Sequence, residues 1–161
     1  MDTRDVLLVD AFAVEPMAGN PAGVVLDADG LTDDQMAAIA NELGASSTAF
    51  VCESDRVDRR LRFFAPTGER DRSDHATVAA FAALFERGGL DAGEYEMETI
   101  GRTRDVEVQD DGTVWLEQGE ARFEEISLDY DEMADALGID VAIAGHAVND
   151  GDLRKAMDPG R

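Results

Sequence analysis

Lysine is almost absent from this sequence. Lys155 is the only one among 14 basic residues, which face 36 acidic ones and leave a formal net charge of −22. Such a surface repels the phosphates of nucleic acid and the headgroups of anionic lipid, so neither is expected as a partner. Cysteine is as scarce: Cys52 stands alone, which excludes an intrachain disulfide and fits a reducing compartment. No apolar run approaches the roughly 20 residues that cross a bilayer. The opening MDTRDVLLVDAF is too briefly apolar, and too acidic at its flanks, to direct export. The expected location is therefore the cytoplasm, without a membrane anchor. Chemical motifs are missing as well. There is no Gly-rich phosphate loop, no cysteine pair for zinc and no serine in a nucleophile elbow, and two histidines make a poor basis for a metal site. No metal site is expected.

What is present begins with HATVAAFAALFERGGL, His75 to Leu90, in which eight successive residues from Val78 to Phe85 are apolar. At helical spacing this run is hydrophobic all round, so it predicts a helix enclosed by other elements. About 13 residues at 1.5 Å each make a rod of about 20 Å, short enough for one curved sheet to cover. Gly88 and Gly89 predict its stop, and Ser73 or Asp74 a side-chain acceptor for its first N–H groups. The 44% hydrophobic content supports a real core in a chain of 161 residues, the size of one ordinary domain or of one and part of another. Acid excess over such a core, with lysine nearly gone, fits a folded surface adapted to very high salt, where self-repulsion is screened. The alternative is an acidic protein that meets a basic partner.

The other patterned segments are mostly strands. Asp5 to Phe12 reads as the first strand, Ala13 to Pro21 as an irregular loop and Gly23 to Asp27 as the second strand. Thr32 predicts a helix N-cap with Gln35 at the capping-box position; Met36, Ile39, Ala40 and Leu43 share one face, and Gly44 ends the helix. Ser47 to Cys52 and Arg59 to Phe64 are further strands, and the turn Pro66-Thr67-Gly68 leads through Glu69 to Asp74 into the central helix. Glu94 to Ile100, Arg104 to Gln109 and Thr113 to Gln118 predict an antiparallel meander, with Asp110-Asp111-Gly112 as its last turn. Tyr130 to Leu137 reads as a short helix, after which the pattern fades. The expected class is α+β, a curved sheet wrapped around a central helix. The histidine at the start of that helix is a candidate anion site, because free N–H groups and the helix dipole meet there.

Three stretches carry a family resemblance. DAFAVEPMAGNPAGVVLDADGLTDDQMAAIANELGASSTAFV, from Asp10 to Val51, then PTGE, then HAT at His75 to Thr77, resemble in register the PhzF-like isomerases of phenazine biosynthesis, and the similarity extends to about Asp140. The resemblance implies a diaminopimelate epimerase-like fold of two similar lobes, each a sheet around a central helix, with a site in the cleft between them. Residues 1–120 then correspond to the N-terminal lobe, and 121–161 to the incomplete start of a second lobe or a tail. It also implies proton transfer on a small carboxylate-bearing substrate without metal or organic cofactor, performed in the family by a glutamate in an S-E-T-A-F type strand, with a G-H pair helping to bind the substrate. Ser47 stands at the glutamate position and Asp74 at the glycine position. His75 matches the histidine, and Gly19, Asn20 and Ala76 complete the candidate substrate contacts.

Taken without the resemblance, each of these residues also has a purely structural reading. His75 can pack at a helix start, Asn20 can stabilise an irregular loop through its backbone, and Gly19 and Gly23 can serve tight turns or close packing. Ser47 lacks a nearby base in sequence that would make it a nucleophile. Met36 and Phe81 are core. A carboxylate at position 74 is expected to repel a substrate anion and turn the pocket toward neutral or cationic ligands. The function expected by resemblance is an isomerase whose proton transfer is impaired. The alternatives are a non-catalytic binding or assembly lobe, or an acidic adaptor with no ligand site. A homodimer or a second-lobe partner is expected to cover the face that such a lobe leaves open.

Overall fold

A computed structural model describes residues 3–118, together with 131, 135 and 136. The chain divides into two compact units, Met1–Gly119 and Glu120–Arg161. The first unit runs β1 (Val6–Ala11), β2 (Asn20–Val25), α1 (Asp33–Leu43), β3 (Thr48–Cys52), β4 (Arg59–Ala65), β5 (Gly68–Arg70), α2 (Asp74–Glu86), β6 (Gly93–Thr99), β7 (Arg102–Val108) and β8 (Val114–Leu116). In the second unit Asp131, Asp135 and Ala136 are helical and exposed. The rest of the helix expected from Tyr130 to Leu137, and His146 in the tail, lie outside the described residues.

The strands form one sheet in the order β1-β2-β3-β4-β6-β7-β8, with β5 paired to β4 off that path. Pairing is antiparallel except for β2 with β3 and β4 with β6, which are parallel. Those two parallel joins are where α1 and α2 cross over. Helix α2 touches β1 and β2 at one end of the sheet, β7 and β8 at the other, and β3 between them. Seven strands spaced about 4.8 Å apart would hold the two edges of a flat sheet roughly 29 Å from each other, whereas a helix with its side chains is only about 10–12 Å across. Both edges can reach one helix only if the sheet curls around it. The fold is therefore α+β with a curled sheet enclosing a central helix, as the all-round apolar pattern of α2 predicts. From Ala76 to Phe85 no residue of α2 is exposed.

Strand alternation sorts the core into two clusters. Ala22, Val24, Ala49, Val51, Leu61, Phe63, Met97, Val106 and Val108 face α2 and pack with its Ala76, Ala80, Phe81 and Leu84. Val25, Phe50, Cys52 and Phe64 face the other way and are covered by Met36 and Ala40 of α1. Fully burying a side chain of the Val, Leu, Phe or Met kind stabilises by about 1.5–3 kcal/mol, so the inner cluster dominates the stability of the lobe. Helix α1 starts as its sequence predicts. Thr32 Oγ1 accepts from Gln35 N at 3.3 Å, Gln35 Oε1 accepts from Thr32 N at 2.9 Å, and Gly44 closes the helix in the left-handed region.

The structure departs from expectation at three places. Strand β2 begins at Asn20 rather than Gly23. Gly23 N–H reaches across to Ser47 O of the chain entering β3; two residues earlier, Pro21 lies where β3 has not yet begun to pair, so its missing N–H breaks no bond there. Gly68 to Arg70 is a strand, not a lead-in, because Pro66 and Thr67 suffice to turn β4 back on itself, with Ala65 opposite Gly68. The third departure is the cap of α2. Ser73 holds the N-cap position, yet no side chain caps the helix.

Candidate functional site

The parallel join of β2 and β3 brings the start of both strands to one end of the sheet, and that is the end at which α2 begins. Ser46, just before β3, contacts His75 on the first turn of α2: its Oγ lies 3.2 Å from His75 Nε2. Ser73 Oγ lies 3.3 Å from His75 Nδ1. The ring is thus held between two hydroxyls, one donating to it and one accepting from it when the imidazole is neutral. Burial pushes the His75 pKa below its ordinary value, opposed by the adjacent carboxylate of Asp74.

This grip on His75 explains the missing cap. Ser73 spends its hydroxyl on the imidazole, while its carbonyl accepts from Thr77 N at 2.9 Å and from Thr77 Oγ1 at 2.8 Å. Asp74 is turned away as well. Its Oδ1 sits 2.6 Å from Arg104 Nη1 on β7, and Arg104 Nη2 donates to Glu117 O at 2.8 Å. The first N–H groups of a helix have no partner within it, and among the described residues no side chain takes their place. They are the ready-made elements of an anion site.

Two buried hydroxyls lie on the inner face of the sheet. Ser47 is 4% exposed and Thr99 9%, and neither hydroxyl has a hydrogen-bond partner among the described residues. Ser47 shares its sheet face with Ala49 and Val51, and Thr99 shares its own with Met97, all of which pack toward α2. Thr48 Oγ1 is also unpartnered but belongs to the α1 side. A buried hydroxyl left unpaired costs about 1–3 kcal/mol, so Ser47, next to the Ser46 that touches His75, marks a place suited to a polar ligand.

The remaining candidates frame this mouth. Asn20 opens β2 opposite Ala11 and is exposed. Gly19 N donates to Asp10 Oδ2 at 3.1 Å, which ties the loop back to β1. Ala76 is fully buried and packs in the inner core rather than lining an opening. Arg104 was not legible as a site residue, since it lies in an ordinary alternating strand and meets α2 only through the curl. A cleft of about 680 Å³ lies on the outer face of the meander between Glu94, Glu96, Asp105, Glu107 and Trp115 and includes none of these residues. A smaller one of about 250 Å³ includes Arg104. Among the described residues no group of three or more His, Cys, Asp or Glu is placed to hold a metal ion.

Comparison with known proteins adds a lineage to this geometry. Residues 9–149 match the PhzC-PhzF family, described as phenazine biosynthesis-like protein. The chain is 41% identical over 143 residues to the uncharacterized isomerase YfhB of Bacillus subtilis, covering 86% of this chain and 49% of that protein. It is 40% identical over 156 residues to the uncharacterized isomerase YddE of Salmonella typhimurium, covering 86% and 52%. The crystal structure of a PhzF-family phenazine biosynthesis protein from Bacillus anthracis superposes with a TM-score of 0.77 at 37% identity, over 88% of this chain and 49% of that one. The chain thus spans about half the length of the relatives that it matches.

Proposed function

Because the chain belongs to the PhzC-PhzF family of phenazine biosynthesis-like proteins, and its relatives above carry isomerase names, we propose that it provides one half of a proton-transfer isomerase site for a small carboxylate-bearing substrate. In this reading residues 1–120 act as the N-terminal lobe and 121–161 as the incomplete start of the second. The observation that carries it is the uncapped first turn of α2 at His75, beside the buried and unpartnered hydroxyl of Ser47. The free N–H groups receive the substrate carboxylate, with His75, Asn20 and Gly19 at the rim, and no cofactor is needed.

Proton abstraction is the weak step. Ser47 stands where the family resemblance puts a glutamate, and an unactivated hydroxyl is a poor base near neutral pH, whereas a positioned carboxylate contributes about 10²–10⁴-fold. Loop residues Phe12, Val14 and Met17 and the edge-strand residue Leu8 stay exposed. They are the surface through which a second copy or a second-lobe chain would complete the site.

The test is solvent deuterium exchange on candidate carbon acids, measured for the chain and for Ser47→Glu, each with and without a second-lobe partner. Exchange that rises about 10²-fold or more in Ser47→Glu supports the reading. Strong exchange by the unmodified chain would show that another group carries the chemistry and would sink it.

A further inference from the structure

We infer that Arg104 determines the charge specificity of this site: by pairing with Asp74 it lets the start of α2 accept an anion that Asp74 alone would turn away. The inference rests on the reading of that first turn as the substrate carboxylate's seat.

The charges decide it. The start of a helix carries about half a positive charge. One unpaired carboxylate at the first helical position outweighs that and makes the net field repulsive to an anion. A guanidinium bound to the carboxylate restores the sign. The structure supplies the pair with Oδ1 to Nη1 at 2.6 Å and with side chains only 33% and 17% exposed, so solvent screens it incompletely. Arg104 is held for this task. Its second nitrogen is anchored on Glu117 O, which fixes the guanidinium at the end of β8 instead of leaving it free in solvent. Ser47, next to the Ser46 that touches His75, is buried with a hydroxyl that has no partner among the described residues, and it points independently to a ligand there. Arg104 is thus a positioning residue that acts through Asp74.

A probe for this charge balance is built into the site. His75 directly follows Asp74, and the groups around its ring are the hydroxyls of Ser46 and Ser73, from the segments entering β3 and α2. Burial acts on it first and the Asp74 carboxylate, to which Arg104 is bonded, second. NMR of the His75 ring, assigned by its loss in His75→Gln, reports two things: its own pH titration, and its response to sodium acetate at constant ionic strength.

Removing the guanidinium in Arg104→Met unmasks Asp74. It should raise the His75 pKa and weaken the acetate response about tenfold, the scale of one charge acting through a partly solvated gap. Asp74→Asn combined with Arg104→Met should bring both back near the original values, because the carboxylate that needed masking is gone. Arg104→Lys, which keeps the charge if the Met variant folds poorly, should stay close to the unmodified chain.

A double variant as weak for acetate as Arg104→Met alone would overturn the inference, since Arg104 would then act directly on the ligand or on the scaffold. An unmoved His75 titration in Arg104→Met, or no acetate response in the unmodified chain, would overturn it too. These measurements need no turnover. If they succeed while Ser47→Glu shows no exchange, the isomerase reading fails alone.

Discussion

Gly19 sits where the loop after β1 returns to begin β2, and no side chain can stand there without moving the backbone. A Cβ at this position would lie 2.3 Å from Ala11 O, 2.8 Å from Asp10 Oδ1 and 3.0 Å from Ala13 Cβ. The nearest of these atoms is main chain, and Ala11 is pinned opposite Asn20 at the end of the β1–β2 ladder, so it cannot yield as a flexible side-chain tip would. Gly19→Ala leaves two routes. If the loop stays, the overpacking costs about 1–3 kcal/mol. If it pulls away, the Gly19 N–H to Asp10 Oδ2 bond is lost, and a hydrogen bond to a charged group is worth about 1.5–3 kcal/mol. Both routes converge on about 2 kcal/mol, which for a lobe of this size lowers the thermal midpoint by roughly 10 °C. The assay is unfolding followed by circular dichroism in molar KCl. Asp10→Ala removes the second route, so combining it with Gly19→Ala should cost less than the sum of the two single changes by about 0.5 kcal/mol or more. A Gly19→Ala chain as stable as the original, or strict additivity in the pair, would refute the close-approach account of this loop.

Three further outcomes are expected. If the acidic surface is an adaptation to salt, moving from 1 M to 0.01 M KCl lengthens the Debye screening distance from about 3 Å to about 30 Å and should lower the unfolding midpoint, whereas an unchanged midpoint would remove the salt reading of the −22 charge. Burial holds the His75 pKa below 6.5, so below that pH the unfolded chain binds the extra proton first and stability falls as pH drops from 6.5 toward the folded-state value; His75→Gln should flatten that part of the pH-stability curve, and identical curves would count against a buried neutral imidazole. Cys52 is buried on the α1 side, and burial, followed by the nearby Asp29, raises its thiol pKa, so alkylation by iodoacetamide at pH 8 should proceed at the rate of unfolding; fast labelling of the native chain would contradict the packing of α1 over β3.

The sequence by itself determined the central element and much around it. Eight apolar residues in a row leave α2 no polar face, and that alone requires other elements to enclose it. The capping box of Thr32 and Gln35, the stop at Gly44 and the Asp110-Asp111-Gly112 turn were equally legible, because each is a local matter of hydrogen bonding and backbone freedom. So was the lineage, carried by spaced motifs from Asp10 to Thr77. Local chemistry misled where distant residues compete for the same group. Ser73 reads as a cap, but its hydroxyl goes to His75, and nothing near Asp74 in sequence announces that β7 delivers Arg104 to it. Only the tertiary structure decided these points, along with the inward aim of Ser47 and Thr99. The curl of the sheet brings residue 104 to residue 74 and residue 46 to residue 75, and neither partnership leaves a periodicity in the chain for a reader to find.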